Sequence, residues 1–140
     1  MALEEQVVDR LIDLGYTVSF AESCTGGLCC GMLVNVANAS KVLNASFVTY
    51  ANAAKIRFLG VEADTILNYG VVSEQVAAQM ARGVAKTTES SVGVGITGIA
   101  GPGGGTAKKP VGMVCRCEIT IADQLNLKEA YKKLLDMYNE

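Results

Sequence analysis

Residues 18 to 27 read Val-Ser-Phe-Ala-Glu-Ser-Cys-Thr-Gly-Gly, an apolar run that breaks into small polar residues and closes on two glycines before Leu28. After a strand, such a break is where a helix starts. Ser23 and Thr25 stand where an N-cap stands, and the N–H groups near Gly26 and Gly27 gather at the positive end of the helix dipole. An anion or a reacting carbonyl fits there. A simple cap would explain Ser23 or Thr25 equally well, so the case for chemistry has to come from the rest of the chain.

On the N-terminal side, Leu3, Val7, Val8, Leu11, Ile12 and Leu14 recur at helical spacing over residues 2 to 14, and Gly15 stops the helix. Tyr16 to Phe20 alternates as a strand and delivers the Ser23 loop. On the C-terminal side, Leu28 to Val36 is a helix rich in small and sulfur-bearing residues, with Cys29 and Cys30 as core filling. Ser46 to Tyr50 is the next strand, and Asn52 caps a helix from Ala53 to Leu59. Lys55 then falls in a first helical turn, where the dipole disfavours a cation and lowers the lysine pKa, as a neutral lysine base requires. An ordinary surface lysine is the other reading.

Glu62 to Tyr69 predicts a short helix closed by Gly70, and Ser73 caps a longer one with Val76, Ala77, Met80, Ala81 and Val84 as its apolar stripe. Ser91 to Thr97 is an apolar strand running into the glycine loop Gly98 to Gly105. Gly93, Gly95 and Gly98 match G-x-G-x-x-G by spacing, but two of them lie inside the strand and no helix follows, so the match is accidental. No Lys-Ser or Lys-Thr makes the loop a P-loop; its bare backbone can still approach a phosphate or an oxyanion. A strand from Val111 to about Ile121 and a helix from about Leu125 to Tyr138 complete the chain.

Strands alternating with helices predict one α/β domain over residues 1 to 140: a three-layer α/β/α sandwich on a mostly parallel mixed sheet. Ligands of such sheets bind beyond the carboxyl ends of the strands. The loops with Ser23, with Tyr50 and Lys55, and with Thr97 and the glycines all follow strands and converge there.

Composition narrows the chemistry. With 12 basic and 14 acidic residues and no basic cluster, the chain lacks the electrostatic grip for nucleic acid or anionic lipid, and a small-molecule partner is expected. Cys24, Cys29, Cys30, Cys115 and Cys117 form no C-x-x-C pair, which suggests a reduced, cytoplasmic chain without zinc. Glu4, Glu5 and Asp9 stand where a signal peptide would be basic, so no export signal is expected, and no stretch reads as a membrane span. There is no histidine, which excludes Ser-His-Asp and Cys-His machinery and a His-ligated metal. The base of any nucleophile must then be Lys, Tyr, Asp or Glu.

Together, Ala-Glu-Ser-Cys-Thr-Gly-Gly at 21 to 27, Val-Thr-Tyr-Ala-Asn-Ala-Ala-Lys at 48 to 55, Leu-Gly-Val at 59 to 61 and Tyr-Gly-Val-Val-Ser-Glu at 69 to 74 resemble the C-terminal domain of the CinA competence/damage-inducible proteins. That domain also occurs alone as nicotinamide-nucleotide amidase. Met80-Ala81, Gly83, Ile-Thr-Gly-Ile-Ala-Gly-Pro-Gly-Gly-Gly at 96 to 105 and Lys-Pro-Val-Gly at 109 to 112 extend the match. The nucleotide-pyrophosphatase domain of longer CinA proteins is not expected in this chain.

The resemblance implies metal-free and cofactor-free hydrolysis of the carboxamide of nicotinamide mononucleotide to the nicotinate nucleotide and ammonia. It implies Ser23 as nucleophile, Lys55 as its base, Tyr50 as a hydroxyl that relays the proton, and Thr97 as a residue holding the reacting group. It further implies substrate contacts from Glu22, Thr25, Gly26, Gly27, Asn52, Gly98, Gly101, Gly103, Gly104 and Lys109, and a homo-oligomer is compatible with it. The alternatives are a nucleotide-binding or regulatory module without turnover, and a Cys24 nucleophile, disfavoured because no histidine is present to make the thiolate. Three departures stand out: Ala45-Ser46 where the family has glycine, Ala53 where it has an acid, and Gln124 in place of an arginine. A glutamine offers no charge to a phosphate or carboxylate.

Overall fold

The computed structural model describes residues 1–120. The C-terminal helix expected from Leu125 and the Gln124 position lie outside the described residues. Helix α1 (Leu3–Leu14) ends at Gly15, whose φ of 67° lets its N–H turn back to Ile12 O. Strand β1 (Val18–Glu22), helix α2 (Leu28–Val34), a single 3-10 turn at Ala39–Lys41 and strand β2 (Leu43–Val48) follow. Then come α3 (Asn52–Leu59), α4 (Ala63–Tyr69), α5 (Glu74–Thr88), β3 (Val92–Gly98) and β4 (Val114–Thr120). Ser73 caps α5, its Oγ accepting the Val76 N–H at 3.2 Å.

The sheet order is β2-β1-β3-β4, with β1 parallel to both neighbours and β4 antiparallel to β3. The architecture is the three-layer α/β/α arrangement on a mostly parallel mixed sheet. Alternation in β1 divides its side chains: Val18 and Phe20 pack with Val8, Leu11 and Leu33 on the α1 and α2 side. Ala21 packs with Leu59, Val76 and Met80 on the α3 and α5 side. Among the described residues, no helix is long and apolar enough to cross a membrane.

Glycines set the closeness of the layers. A Cβ on Gly93 would stand 2.1 Å from Ala81 O, and one on Gly95 would stand 2.2 Å from Ala77 O. The first two glycines of the G-x-G-x-x-G match, Gly93 and Gly95, therefore let α5 lie flat on β3. Gly83 does the same between helices, since its Cβ would fall 1.8 Å from Leu59 O.

Several boundaries differ from the sequence reading. Helix α2 stops at Val34, and the turn at Ala39–Lys41, entered through Asn38 at φ 68°, was not foreseen. Strand β2 starts at Leu43 instead of Ser46 and ends before Tyr50. As an edge strand it exposes Asn44, Ser46 and Val48 while half-burying Leu43, Ala45 and Phe47, and its polar residues disguised its first half. Residues 111 to 113 belong to a turn, with Gly112 at φ 91° and Met113 N–H donating to Pro110 O at 3.0 Å, so β4 starts at Val114. Asn52 is the first helical residue of α3; the cap position is Ala51, which has no side-chain cap bond.

Candidate active site

One step of alternation at the end of β1 separates two polar groups. Glu22 continues the Val18 and Phe20 face toward α2, and Ser23 continues the Ala21 face toward α3. The fully buried Glu22 accepts Thr25 Oγ1 (2.6 Å) and Cys29 N–H (3.0 Å) on Oε1, and Cys30 N–H (3.0 Å) on Oε2. This corrects two expectations. The start of α2 is not open to an outside anion, because the chain's own carboxylate occupies it. Glu22, expected among the substrate contacts, has both oxygens engaged inside the protein, with Thr25 as one of its donors. Gly26 and Gly27, at φ 61° and 100°, form the turn between them, and the Gly26 N–H donates to Ser23 O at 3.0 Å.

On the other face, Lys55 rises from the first turn of α3 to Ser23. Lys55 is 1% exposed and Ser23 6%, and Nζ lies 3.1 Å from Ser23 Oγ. Nζ also donates to Thr49 O at 2.7 Å and Tyr50 O at 3.1 Å. Burial pulls the Lys55 pKa below its ordinary value, opposed by the neighbouring Cys24. These contacts suit both protonation states. An ammonium spends one N–H on each oxygen, whereas a neutral amine gives its two N–H groups to the carbonyls and aims its lone pair at the Ser23 hydroxyl.

The other expected residues are placed less directly. Tyr50 contributes its carbonyl to Lys55 while its side chain is 70% exposed, so the expected hydroxyl relay is not the contact the structure makes. Thr97 is buried beside the site, but its Oγ1 donates to Val71 O at 3.1 Å, not to Ser23 or Lys55. Gly98 abuts the turn, where a Cβ would stand 2.7 Å from Cys24 Sγ. Gly101 packs on Val111, whereas Gly103 has open space around it and Gly104, at φ 89°, meets only Ile99 at van der Waals distance. Lys109 donates Nζ to Tyr69 O at 2.7 Å, in room left by Gly70. Asn52 is exposed at the start of α3.

Burial raises the Cys24 thiol above its ordinary value, which keeps it protonated at neutral pH and speaks against it as the nucleophile. The sequence reading missed Thr49, whose carbonyl makes the shortest bond to Lys55. A contact made by a main-chain carbonyl leaves no mark in residue type or spacing, so the sequence carried no signal for it. Among the described residues, no three His, Cys, Asp or Glu side chains are grouped so as to hold a metal ion.

The family description "CinA C-terminal domain" matches residues 1–134. A CinA-like protein of Kosmotoga olearia is 48% identical over 133 residues, covering 95% of this chain and 31% of that protein. A competence-damage inducible protein of Clostridium perfringens is 46% identical over 138 residues, covering 96% and 34%. The chain thus spans about a third of the length of these curated relatives. Among solved structures, the competence/damage inducible protein CihA of Agrobacterium tumefaciens superposes with a TM-score of 0.80 at 37% identity, covering 99% of both chains. A CinA superfamily protein of Enterobacter cloacae gives 0.81 at 34% identity, covering 84% of this chain and 70% of that one.

Proposed function

Because the chain belongs to the CinA C-terminal domain family, we propose that it is a serine amidohydrolase that converts nicotinamide mononucleotide to nicotinate mononucleotide and ammonia. The observation that carries the reading is the buried Lys55 Nζ at 3.1 Å from Ser23 Oγ, beyond the carboxyl ends of parallel strands. Neutral Lys55, oriented by the carbonyls of Thr49 and Tyr50, takes the Ser23 proton as Oγ bonds to the amide carbon. The developing oxyanion calls for backbone N–H donors from the loops that follow β1 and β3. The carbon–nitrogen bond then breaks, and the proton held by Lys55 leaves with the nitrogen as ammonia. Water, deprotonated by Lys55, attacks the acyl ester, and the proton returns to Ser23 as the acid departs. Lys109 and the open backbone at Gly103 and Gly104 serve the phosphate end of the nucleotide.

The test is ammonia release from nicotinamide mononucleotide by the wild type, Ser23→Ala and Lys55→Met. Release by the wild type alone is the expected result. Activity surviving in Ser23→Ala overturns the nucleophile. Tight binding without release by the wild type replaces the hydrolase with a nucleotide-binding module.

A further inference from the structure

We propose that Gly70 is a specificity-determining residue for the phosphate of the mononucleotide: it opens a seat on the carbonyl end of α4 in which the Lys109 ammonium is held ready for the anion. This rests on the nucleotide reading of the site, in which Lys109 serves the phosphate, and adds what aims the lysine. Lys109 Nζ donates to Tyr69 O at 2.7 Å. Tyr69 is the last residue of α4, so its carbonyl has no acceptor role inside the helix and is free to take a lysine from outside. A Cβ on Gly70 would stand 2.6 Å from Lys109 Nζ. The amine is the flexible end of a long side chain, so it yields to such a methyl group, and what is lost is the seat.

The seat is fixed relative to Ser23. Three consecutive carbonyls of the corner after α4 each accept from a side chain of a different segment: Tyr69 O from Lys109, Gly70 O from Ser73 Oγ at 2.8 Å, and Val71 O from Thr97 Oγ1 at 3.1 Å. Thr97 lies beside Ser23, because Glu22 pairs with Ile96 and each of these is followed by one of the two. With about 4.8 Å between strands and about 3.3–3.6 Å per residue of chain, the ammonium stands on the order of 10 Å from the Ser23 hydroxyl, the scale of a mononucleotide from its amide to its phosphate. The Lys109 backbone is held as well. Its N–H donates to Thr106 Oγ1 at 3.0 Å, and its carbonyl accepts the Thr106 N–H at 2.8 Å.

What Lys109 lacks points the same way. It is half-buried, and among the described residues Tyr69 O is the partner of its Nζ and no carboxylate answers its charge. Holding a long side chain in one rotamer costs entropy that a single neutral carbonyl offsets only in part. A cation ordered in this way, with two N–H groups uncommitted, suits an anion that arrives later, since the ordering is complete before binding. Gly70 also answers a backbone need, because φ 82° and ψ 158° belong to glycine. Backbone strain from a substitution acts on every substrate alike, whereas loss of the seat acts on a substrate that carries a phosphate.

The quantity to measure is the ratio of kcat/KM for nicotinamide mononucleotide to kcat/KM for the same nucleoside without its phosphate, in the wild type, Gly70→Ala, Lys109→Met and the double variant. Lys109→Met should lower the ratio about tenfold or more, through the KM of the mononucleotide. Gly70→Ala should lower it about fivefold, and should lower it no further in the Lys109→Met background. A ratio unmoved by Gly70→Ala, or the same fall in both backgrounds, overturns the proposal. A second measurement needs neither a folded Gly70→Ala nor turnover: NMR of isotope-labelled lysine side chains in the wild type, with inorganic phosphate as the probe. The Lys109 ammonium, identified by its absence from Lys109→Met, should exchange its hydrogens with water more slowly than that of the exposed Lys108 and should shift when phosphate is added. An ammonium that exchanges as fast as Lys108, or that phosphate leaves unmoved, overturns the proposal. A wild type whose Lys109 signal follows phosphate but which releases no ammonia defeats the hydrolase reading alone.

Discussion

Glu22→Gln distinguishes a carboxylate that builds the site from one that touches the substrate. The two Glu22 oxygens receive three donors: Thr25 Oγ1, Cys29 N–H and Cys30 N–H. A glutamine supplies one oxygen and one NH2 group. With its oxygen toward Thr25 and Cys29, the NH2 faces the Cys30 N–H; turned over, it faces the Cys29 N–H, while the Thr25 hydroxyl can rotate to accept. Either way one N–H of the α2 entrance loses its acceptor in a fully buried place, and the negative charge opposite the helix dipole disappears. An orphaned buried group costs about 1–3 kcal/mol and the lost charge about 0.3–1 kcal/mol, so a destabilisation of about 1–4 kcal/mol is expected. Urea unfolding at neutral pH, with the m-value unchanged, measures it. Ammonia release should fall through kcat, because the Ser23 turn loosens, with little change in KM. A stability change under about 0.5 kcal/mol together with a raised KM would refute the anchor and return Glu22 to the substrate.

Gly95→Ala sets a methyl group 2.2 Å from Ala77 O, a backbone atom that cannot swing aside, and should destabilise by about 1–3 kcal/mol or more in the same assay. Ammonia release should rise with pH and level off once Lys55 is neutral, with its midpoint below 10.5 because burial lowers the lysine pKa; a midpoint at or above 10.5 would count against Lys55 as the base. The same shift acts on stability. Between 10.5 and the lowered folded value the unfolded chain binds the proton that the folded chain resists, so stability falls as pH drops through that window, and Lys55→Met should remove this slope. Cys24→Ala should retain most ammonia release, and alkylation of Cys24 should be slow at neutral pH, since burial keeps the thiol protonated; loss of turnover without loss of fold in Cys24→Ala would speak for a thiol mechanism.

Much of the architecture could be read along the chain because its causes are local. The spacing of Val76, Met80 and Val84 made α5, Gly15 ended α1 through a left-handed residue, and Ser73 capped α5. Edge strand β2 was harder, since a half-exposed strand carries Asn44 and Ser46 that look like loop residues until the sheet pairs them. The glycines of β3 were seen as unlike a nucleotide fingerprint, but their purpose needed α5 lying against them.

The amino-acid sequence by itself determined the order of strands and helices, the absence of a histidine-based mechanism, and the pairing of Ser23 with Lys55 as candidates. The first two follow from residue type, period and spacing, and the pairing follows from the resemblance of the motifs around Ser23 and Lys55 to the CinA family. Only the tertiary structure decided which partner each polar group meets. It gave Glu22 to the start of α2, Lys55 to two carbonyls as well as Ser23, the Thr97 hydroxyl to Val71 O, and left Thr49 uncommitted. The physical reason is that strand alternation selects a face, while the occupant of that face arrives through a crossover from a distant part of the chain, as Lys55 does across 32 residues to Ser23.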